Sequence, residues 1–217
     1  MQKLKLGFTL AEVLITLGII GIIAEITLPS LITNVNNTAL SAGWRKEYSI
    51  LSQAYQMVSS SGSIPYQNYL TGISDIEAQL KTTKICVDSQ TEGCWHKPNE
   101  WLNYPGNKIA VAQDYRGLVL NDGALVMFLE LVYGVGSLSP FESFNNMPLV
   151  MYVDVNGFKK PNQLGVDVFT LEMFGDRVLP FGAPLTGYDT DNMYCNKTFN
   201  VNSSMNGMSC SDSALLN

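Results

Sequence analysis

The feature that most constrains this chain is a long apolar run near its N-terminus, which extends from Phe8 to Leu28. A helix needs about 20 predominantly apolar residues to cross a bilayer, and this run is long enough. Lys3 and Lys5 precede the run, and the next basic residue is Arg45. Because basic flanks stay in the cytoplasm, we expect a single-pass membrane protein whose larger part lies outside the cytoplasm.

Two other interpretations of the run are a cleaved signal peptide and a plain signal anchor. A signal peptide has a shorter apolar stretch followed by a small-x-small site, whereas this run leads through Pro29 into a helical pattern. A plain anchor needs no polar residue inside the span, but this span contains Glu12. A carboxylate in hydrocarbon is costly unless it is paired, and the nearby sequence offers no cation. Glu12 is therefore a candidate functional residue.

The residues around Glu12 form a specific pattern, in which a short basic leader is followed by Gly7-Phe8-Thr9-Leu10-Ala11-Glu12-Val13-Leu14 and an apolar helix. This pattern resembles the prepilin signature of type IV pilins and of the pseudopilins of type II secretion. The resemblance implies cleavage after Gly7 by a prepilin peptidase and N-methylation of Phe8. It also implies that the Phe8 ammonium of one subunit pairs with Glu12 of its neighbour, and that subunits polymerise through this helix.

The same resemblance implies a location and a set of partners. The protein is expected in the bacterial cytoplasmic membrane, and in a periplasmic or cell-surface filament after assembly. Its partners are expected to be other pilin-like subunits, the prepilin peptidase, membrane lipid, an assembly platform protein and an ATPase. Pro29 lies where the family commonly has a helix-distorting proline, which removes one backbone hydrogen bond. The signature does not distinguish a pilus from a secretion pseudopilus.

Beyond the membrane, an apolar stripe at helical spacing predicts that the helix continues to Val58. Arg45, Lys46 and Glu47 lie mostly off this stripe, and a Ser-rich segment containing Gly62 ends the helix. The stripe consists of Leu40, Trp44, Tyr48, Leu51, Tyr55 and Val58.

The remaining sequence predicts a β-rich head. Residues 64–107 are expected to be irregular apart from a short helix at Ile73–Lys81. Further on, four strands are predicted at 118–120, 124–128, 150–155 and 165–174, with a tight turn at Asn121-Asp122-Gly123. The predicted fold class is α+β, with a long N-terminal helix packed on an antiparallel sheet. The predicted segments are the leader (1–7), the transmembrane and assembly helix (8–28), its amphipathic continuation (29–58) and the head (59–217).

The four cysteines fall into two local pairs, and an exported chain would form the bridges Cys86–Cys94 and Cys195–Cys210. Four cysteines permit three connectivities, so the pairing is an expectation. The alternative is zinc held by Cys86, Cys94 and His96, although this spacing fits no common zinc finger. By resemblance to type IV pilins, the second bridge is expected to bound a C-terminal loop on the filament surface.

The segment from Asp154 to Phe169 also resembles an element of pseudopilin heads, some of which bind calcium. Asp154, Asn156 and Asp167 offer the hard oxygen ligands that calcium prefers. The alternative is a turn in which Asn156-Gly157 serves the backbone and the acids serve solvation, with no cofactor.

Composition excludes other classes of function. A net charge of −6, with no basic cluster, argues against nucleic-acid binding. The single histidine, His96, is expected to be an exposed loop residue, and no catalytic or nucleotide-binding motif is present, so we expect no enzyme activity. The competing function is a monomeric, membrane-anchored binding module or adhesin, which would require neither Gly7 nor Glu12.

Overall fold

The computed structural model describes residues 9–62, 69–110, 115–129, 149–174, 177–184, 186, 194–198 and 201–216. The elements are α1 (Leu10–Ser60), α2 (Tyr69–Gln79), β1 (Thr82–Cys86), β2 (Arg116–Leu120), β3 (Leu125–Leu129), β4 (Leu149–Asp154), β5 (Val168–Phe174), β6 (Arg177–Pro180) and α3 (Cys210–Leu216). A long N-terminal helix and an antiparallel sheet make this an α+β fold, as predicted from the sequence.

The chain divides into two compact units, which we call the helix unit (Met1–Ala39) and the head unit (Leu40–Asn217). In the helix unit, α1 contains a window with a mean hydropathy of 2.1 that is not buried within the molecule. By length and composition this helix can span a membrane. It is also uninterrupted at Pro29, where the hydroxyl of Thr33 donates to the Pro29 carbonyl at 2.9 Å.

In the head unit, the six strands form one sheet in sequence order, and each pair of neighbours is antiparallel. Strands β2 to β5 correspond to the four predicted strands. The last of these begins at Val168 rather than at 165, because residues 165–167 form a turn in which Gly165 has a φ of 74°. Such a left-handed conformation favours glycine and ends the strand pattern.

The two edge strands were not predicted. Strand β1 lies inside the stretch that was expected to be irregular, and Thr83, Lys84 and Ile85 are all exposed there. An edge strand with both faces in solvent lacks the alternation that identifies a half-buried strand. The predicted helix at Ile73–Lys81 is observed as α2, which begins earlier and ends at Gln79.

The two faces of the sheet carry separate apolar clusters, because successive side chains of a strand point to opposite faces. On one face, α1 contributes Trp44, Leu51, Tyr55 and Val58, which confirms most of the predicted stripe. The Trp44 ring stacks on Phe169, with centroids 4.6 Å apart. The opposite face is covered by loop side chains that include Trp95, Trp101, Leu164, Phe181 and Met208.

After the expected loop that Cys195 and Cys210 bound, the C-terminal segment forms α3, which packs against the sheet. The indole N–H of Trp44 donates to the Ser211 carbonyl at 2.9 Å, and the Thr170 N–H donates to Ser211 Oγ at 2.8 Å. Arg45 Nε donates to the Leu215 carbonyl at 3.3 Å. The tail therefore joins α1 to β5, a role that its Ser- and Asn-rich composition does not indicate.

Candidate functional site

The sequence places the candidate assembly site at the start of the chain. Gly7 and Phe8 lie outside the described residues, and Glu12 lies in the first turn of α1. The N–H and the hydroxyl of Thr9 both donate to Glu12 Oε2, at 2.8 and 2.7 Å. The Glu12 N–H donates in return to Thr9 Oγ1 at 3.3 Å. This arrangement is a capping box, which satisfies N–H groups that a helix N-terminus otherwise leaves without partners.

The capping box gives Glu12 a local structural role that the sequence analysis missed, although the pattern Thr-x-x-Glu is its usual signal. Both bonds from Thr9 end on Oε2. Within the described part of the chain, Oε1 accepts no hydrogen bond. The capping bonds therefore use one of the two carboxylate oxygens of Glu12.

The rest of this segment presents a continuous apolar surface. Large side chains are exposed throughout the helix unit, and Pro29 lies among them. An apolar surface of this extent marks a region that contacts lipid or another protein. Its members include Leu10, Leu14, Ile15, Leu17, Ile20, Ile22, Ile23, Ile26, Leu28, Leu31 and Ile32.

The four cysteines form the two bridges that export would favour. Cys86–Cys94 and Cys195–Cys210 are both disulfides, with Cα–Cα distances of 6.1 and 4.9 Å. No thiolate is left at Cys86 or Cys94, so the zinc alternative does not fit this structure. The second bridge ties the segment before α3 to the first residue of that helix.

His96, expected to be an exposed loop residue, is instead 2% exposed, which corrects that expectation. Its Nε2 lies 2.8 Å from Oδ2 of Asp154, a residue that is fully buried at the end of β4. The rings of Trp95 and Phe158 pack edge-on against the imidazole. Burial raises the pKa of Asp154 to about 6, although the hydrogen bond with His96 opposes this shift. No local sequence pattern indicates this pair, since its members are 58 positions apart.

The three residues predicted as calcium ligands lie together, Asp154 at the end of β4 and Asn156 and Asp167 in the loop between β4 and β5. Asp167 Oδ2 accepts from Asn156 Nδ2 at 3.2 Å and from the Asn162 N–H at 2.9 Å, and its Oδ1 accepts from the Gln163 N–H at 2.6 Å. Asp154 Oδ1 accepts from the Asn156 N–H at 3.0 Å. Burial raises the pKa of Asp167, while these donors lower it. Every oxygen of the two carboxylates thus has a partner within the protein.

Two further oxygens in this loop bear on calcium binding. The side-chain carbonyl oxygens of Asn156 and Asn162 are buried and accept no hydrogen bond in the described part of the chain. Buried carbonyl oxygens without a donor are suitable ligands for a hard cation. Among the described residues, no group of three His, Cys, Asp or Glu side chains is placed to hold a metal. A cation here would therefore rely on amide oxygens as well as on Asp154 and Asp167, and calcium stays a prediction.

Comparison with known proteins identified no significantly similar protein. The chain matches no protein-family model, and no curated protein or solved structure is significantly similar to it. The functional interpretation therefore rests on the residues of the chain itself, on their order at the N-terminus and on the geometry of the two units.

Proposed function

We propose that this chain is a structural subunit of a type IV pilus-like filament or of a type II secretion pseudopilus. It is matured by cleavage after Gly7 and by N-methylation of Phe8, and it polymerises through its N-terminal helix. The observation that carries the proposal is the composition of α1. The helix carries Glu12 in its first turn, within an exposed apolar segment, and its later turns contain residues that are buried in a disulfide-bonded head.

The exposed apolar segment supplies the free energy for polymerisation. Burying apolar surface contributes roughly 25 cal/mol per Å², so a helix of this length gains substantially from packing among copies of itself. Glu12 then fixes the register of neighbouring copies. Its carboxylate pairs with the methylated ammonium of Phe8 from the next subunit, and the low dielectric of a helix bundle strengthens this pair relative to water. Removing one partner would leave a buried charge, which penalises wrong registers.

The subunit needs a machine to leave the membrane. The basic leader holds the N-terminus in the cytoplasm, and the head lies on the other side of the bilayer. A prepilin peptidase removes the leader, and a platform protein and an ATPase extract the subunit into the filament. The ATPase must be a separate protein, because this sequence contains no phosphate-binding loop.

The test is the intact mass of the protein from its native host, with sequencing of its N-terminal peptide. A mature chain that begins at Phe8 and carries one extra methyl group is expected. A chain that still begins at Met1 would indicate a plain anchor, and cleavage beyond Leu28 would indicate a secreted protein. Either result would exclude the filament subunit.

The alternative function is a monomeric, membrane-anchored binding module or adhesin, since one apolar span and a folded head also fit that class. The two functions differ in what they require of Gly7. The Gly7→Ala variant should accumulate unprocessed and form no filaments if the chain is a pilin-like subunit. It should behave as the wild-type protein in the membrane if the chain is a monomeric anchor.

A structural calcium ion in the β4–β5 loop is a second proposal, favoured by the two amide oxygens without donors. Asp154 and Asp167 would supply charge, and Asn156 and Asn162 would turn their carbonyl oxygens to the ion. Equilibrium dialysis of the full chain in detergent micelles at millimolar calcium should show one bound ion, and the Asn156→Ala variant should bind it more weakly. The absence of bound calcium at this concentration would remove the proposal.

A further inference from the structure

Glu47 is a buried acid in a position where the sequence predicts an exposed one. It was placed off the apolar stripe of α1, yet it is only 1% exposed. It lies near the turn between β2 and β3, and Asp122 in that turn interacts with it. Lys46 Nζ contacts both acids, at 3.2 Å from Glu47 Oε1 and in a close contact with Asp122 Oδ2.

The cluster of Lys46, Glu47 and Asp122 contains two carboxylates and one ammonium group. If all three are ionised, the cluster carries one uncompensated negative charge, and Glu47 cannot reach solvent to disperse it. Glu47 Oε2 is buried and accepts no hydrogen bond within the described residues. A proton on Glu47 removes the excess charge and makes the carboxyl a donor to Asp122. The geometry therefore favours a Glu47 that holds a proton.

The electrostatics of the two acids agree with this assignment. Burial, followed by the proximity of Asp122, raises the pKa of Glu47 to about 7. Burial also raises the pKa of Asp122, but hydrogen bonds from Glu47, Lys46 and the Ala124 N–H outweigh it and lower that pKa to about 2. The two acids therefore titrate as a coupled pair, and below about pH 7 their shared proton lies mainly on Glu47.

The other charged groups near the cluster are few among the described residues. Lys81, where α2 leads into β1, lines the same surface groove as Asp122. Arg45, the neighbouring cation on α1, is directed to the Leu215 carbonyl of α3. The turn itself is held by Gly157 of the β4–β5 loop, where a Cβ atom would lie 2.5 Å from the Gly123 carbonyl oxygen. The β4–β5 loop therefore packs closely against this turn.

We propose that Lys46, Glu47 and Asp122 form a pH-sensitive latch between α1 and the β2–β3 turn, which is closed while Glu47 carries a proton and weakens when Glu47 ionises. The latch belongs to the head unit and holds for a filament subunit and for a monomeric anchor alike. It would let the pH outside the cytoplasm set how firmly the helix is held on the sheet. The head of an assembled subunit would be stiffest under mildly acidic conditions.

The sign of the effect follows from the two pKa values. For Glu47, the native state binds the proton more tightly than the unfolded chain, whose ordinary value is 4.5. Its stabilisation is complete below that value and is lost as the pH rises through about 7. For Asp122, stabilisation is present above its ordinary value of 3.8 and is lost as the pH falls through about 2. The latch is therefore strongest near pH 4 to 5.

Amide hydrogen exchange of the full chain in detergent micelles tests the latch, with rates corrected for intrinsic exchange between pH 5.5 and 8.5. Peptides that cover 45–51 and 118–124 should lose protection as the pH rises, by at most about tenfold per pH unit for one proton. The Glu47→Gln variant keeps a donor for Asp122 and should retain its protection throughout. The matched control is Glu92→Gln, an exposed acid in the same unit, which should behave as the wild type.

Corrected protection that does not change with pH in the wild type, or that falls equally in Glu47→Gln, would overturn the latch. A second measurement uses the wild-type chain, so it does not require that a variant folds correctly. The carboxyl carbon of Glu47, followed by carbon-13 NMR in the wild-type chain, should titrate with a midpoint near 7. A midpoint below 5 would show that Glu47 is ionised at neutral pH and would refute the proposal.

Discussion

Apolar side chains are exposed in one part of α1 and buried in the other. In the helix unit, Leu17 is 60% exposed and its apolar neighbours are exposed with it. In the head unit, Leu51 is fully buried against the sheet. Apolar content is high in both parts, so composition alone does not distinguish them. What distinguishes them is the partner, because the head unit supplies a sheet for its helix and the helix unit leaves its apolar surface for lipid or another chain.

A matched pair of leucine truncations provides the strongest test of this comparison. Leu51→Ala should destabilise the head by about 2–5 kcal/mol, because it removes a buried side chain and leaves a cavity. Leu17→Ala should leave the stability of the head unchanged within about 0.5 kcal/mol, since exposed sites contribute little. Urea unfolding of each full-length variant in detergent micelles measures both effects. Equal losses at the two sites would show that the two parts of α1 are not distinct.

Both disulfides lie in the head unit, so the two units also differ in their covalent cross-links. Replacing Cys195 and Cys210 with serine should destabilise the head by about 3 kcal/mol, because the bridge closes a loop of 15 residues. Unfolding of the reduced and oxidised wild-type chain gives the combined contribution of both bridges, which should exceed that of Cys195–Cys210 alone. The helix unit should keep its helical circular dichroism in both states. A loss of that signal would show that the helicity of the helix unit depends on the disulfides of the head unit.

The buried acid Asp154 gives the head unit a pH-dependent stability. Since burial raises its pKa to about 6, its contribution to stability is complete below the ordinary value of 3.8 and is lost as the pH rises through about 6. The free energy of unfolding should therefore fall between pH 4 and 6, by at most about 1.4 kcal/mol per unit for this group. Urea unfolding at several pH values should give a shallower slope for Asp154→Asn than for the control Asp75→Asn, an exposed acid on α2. Equal slopes would assign the pH dependence to other groups.

The smallest effect on the head is expected from Glu12, the residue with the largest expected effect on assembly. Glu12→Ala removes the capping box, which costs an exposed helix terminus about 1 kcal/mol locally and should not alter the unfolding of the head. The same variant should form few or no filaments in cells, as judged by electron microscopy of sheared material. Glu25→Ala, a second acid in the helix unit, is the matched control and should assemble normally. Normal assembly of Glu12→Ala would contradict the proposed register pair.

Much of the fold could be predicted from local sequence patterns. Strands β2 to β5 follow from short apolar runs that are bounded by turn residues, such as those at 121–123, because a strand covered on both faces is apolar along its length. Strand β1 was missed because its exposed side chains, such as Lys84 and Ile85, do not alternate with buried ones. Helix α3 was missed because Cys210 to Leu216 is short and follows a Ser- and Asn-rich stretch.

Less of the candidate site could be predicted. The positions of Glu12 and Pro29 follow from the N-terminal pattern, and the grouping of Asp154, Asn156 and Asp167 follows from their closeness in sequence. The burial of His96 could not be predicted, because its partner Asp154 is 58 residues away. The amide oxygen of Asn162 was missed for a similar reason, since only the folded loop shows that it lacks a donor.

The sequence by itself determined the apolar helix, its early acid, the predicted strands and the availability of two local cysteine pairs. These features depend on backbone hydrogen bonding and on the period of apolar residues, which neighbouring positions specify. Only the tertiary structure decided which polar groups are buried and what they meet there. Glu47 is the clearest case, because a turn from a distant part of the chain excludes water from it and places Asp122 beside it. Desolvation and charge proximity are properties of three-dimensional neighbours, and they raise the pKa of an acid that the sequence alone would place on the surface.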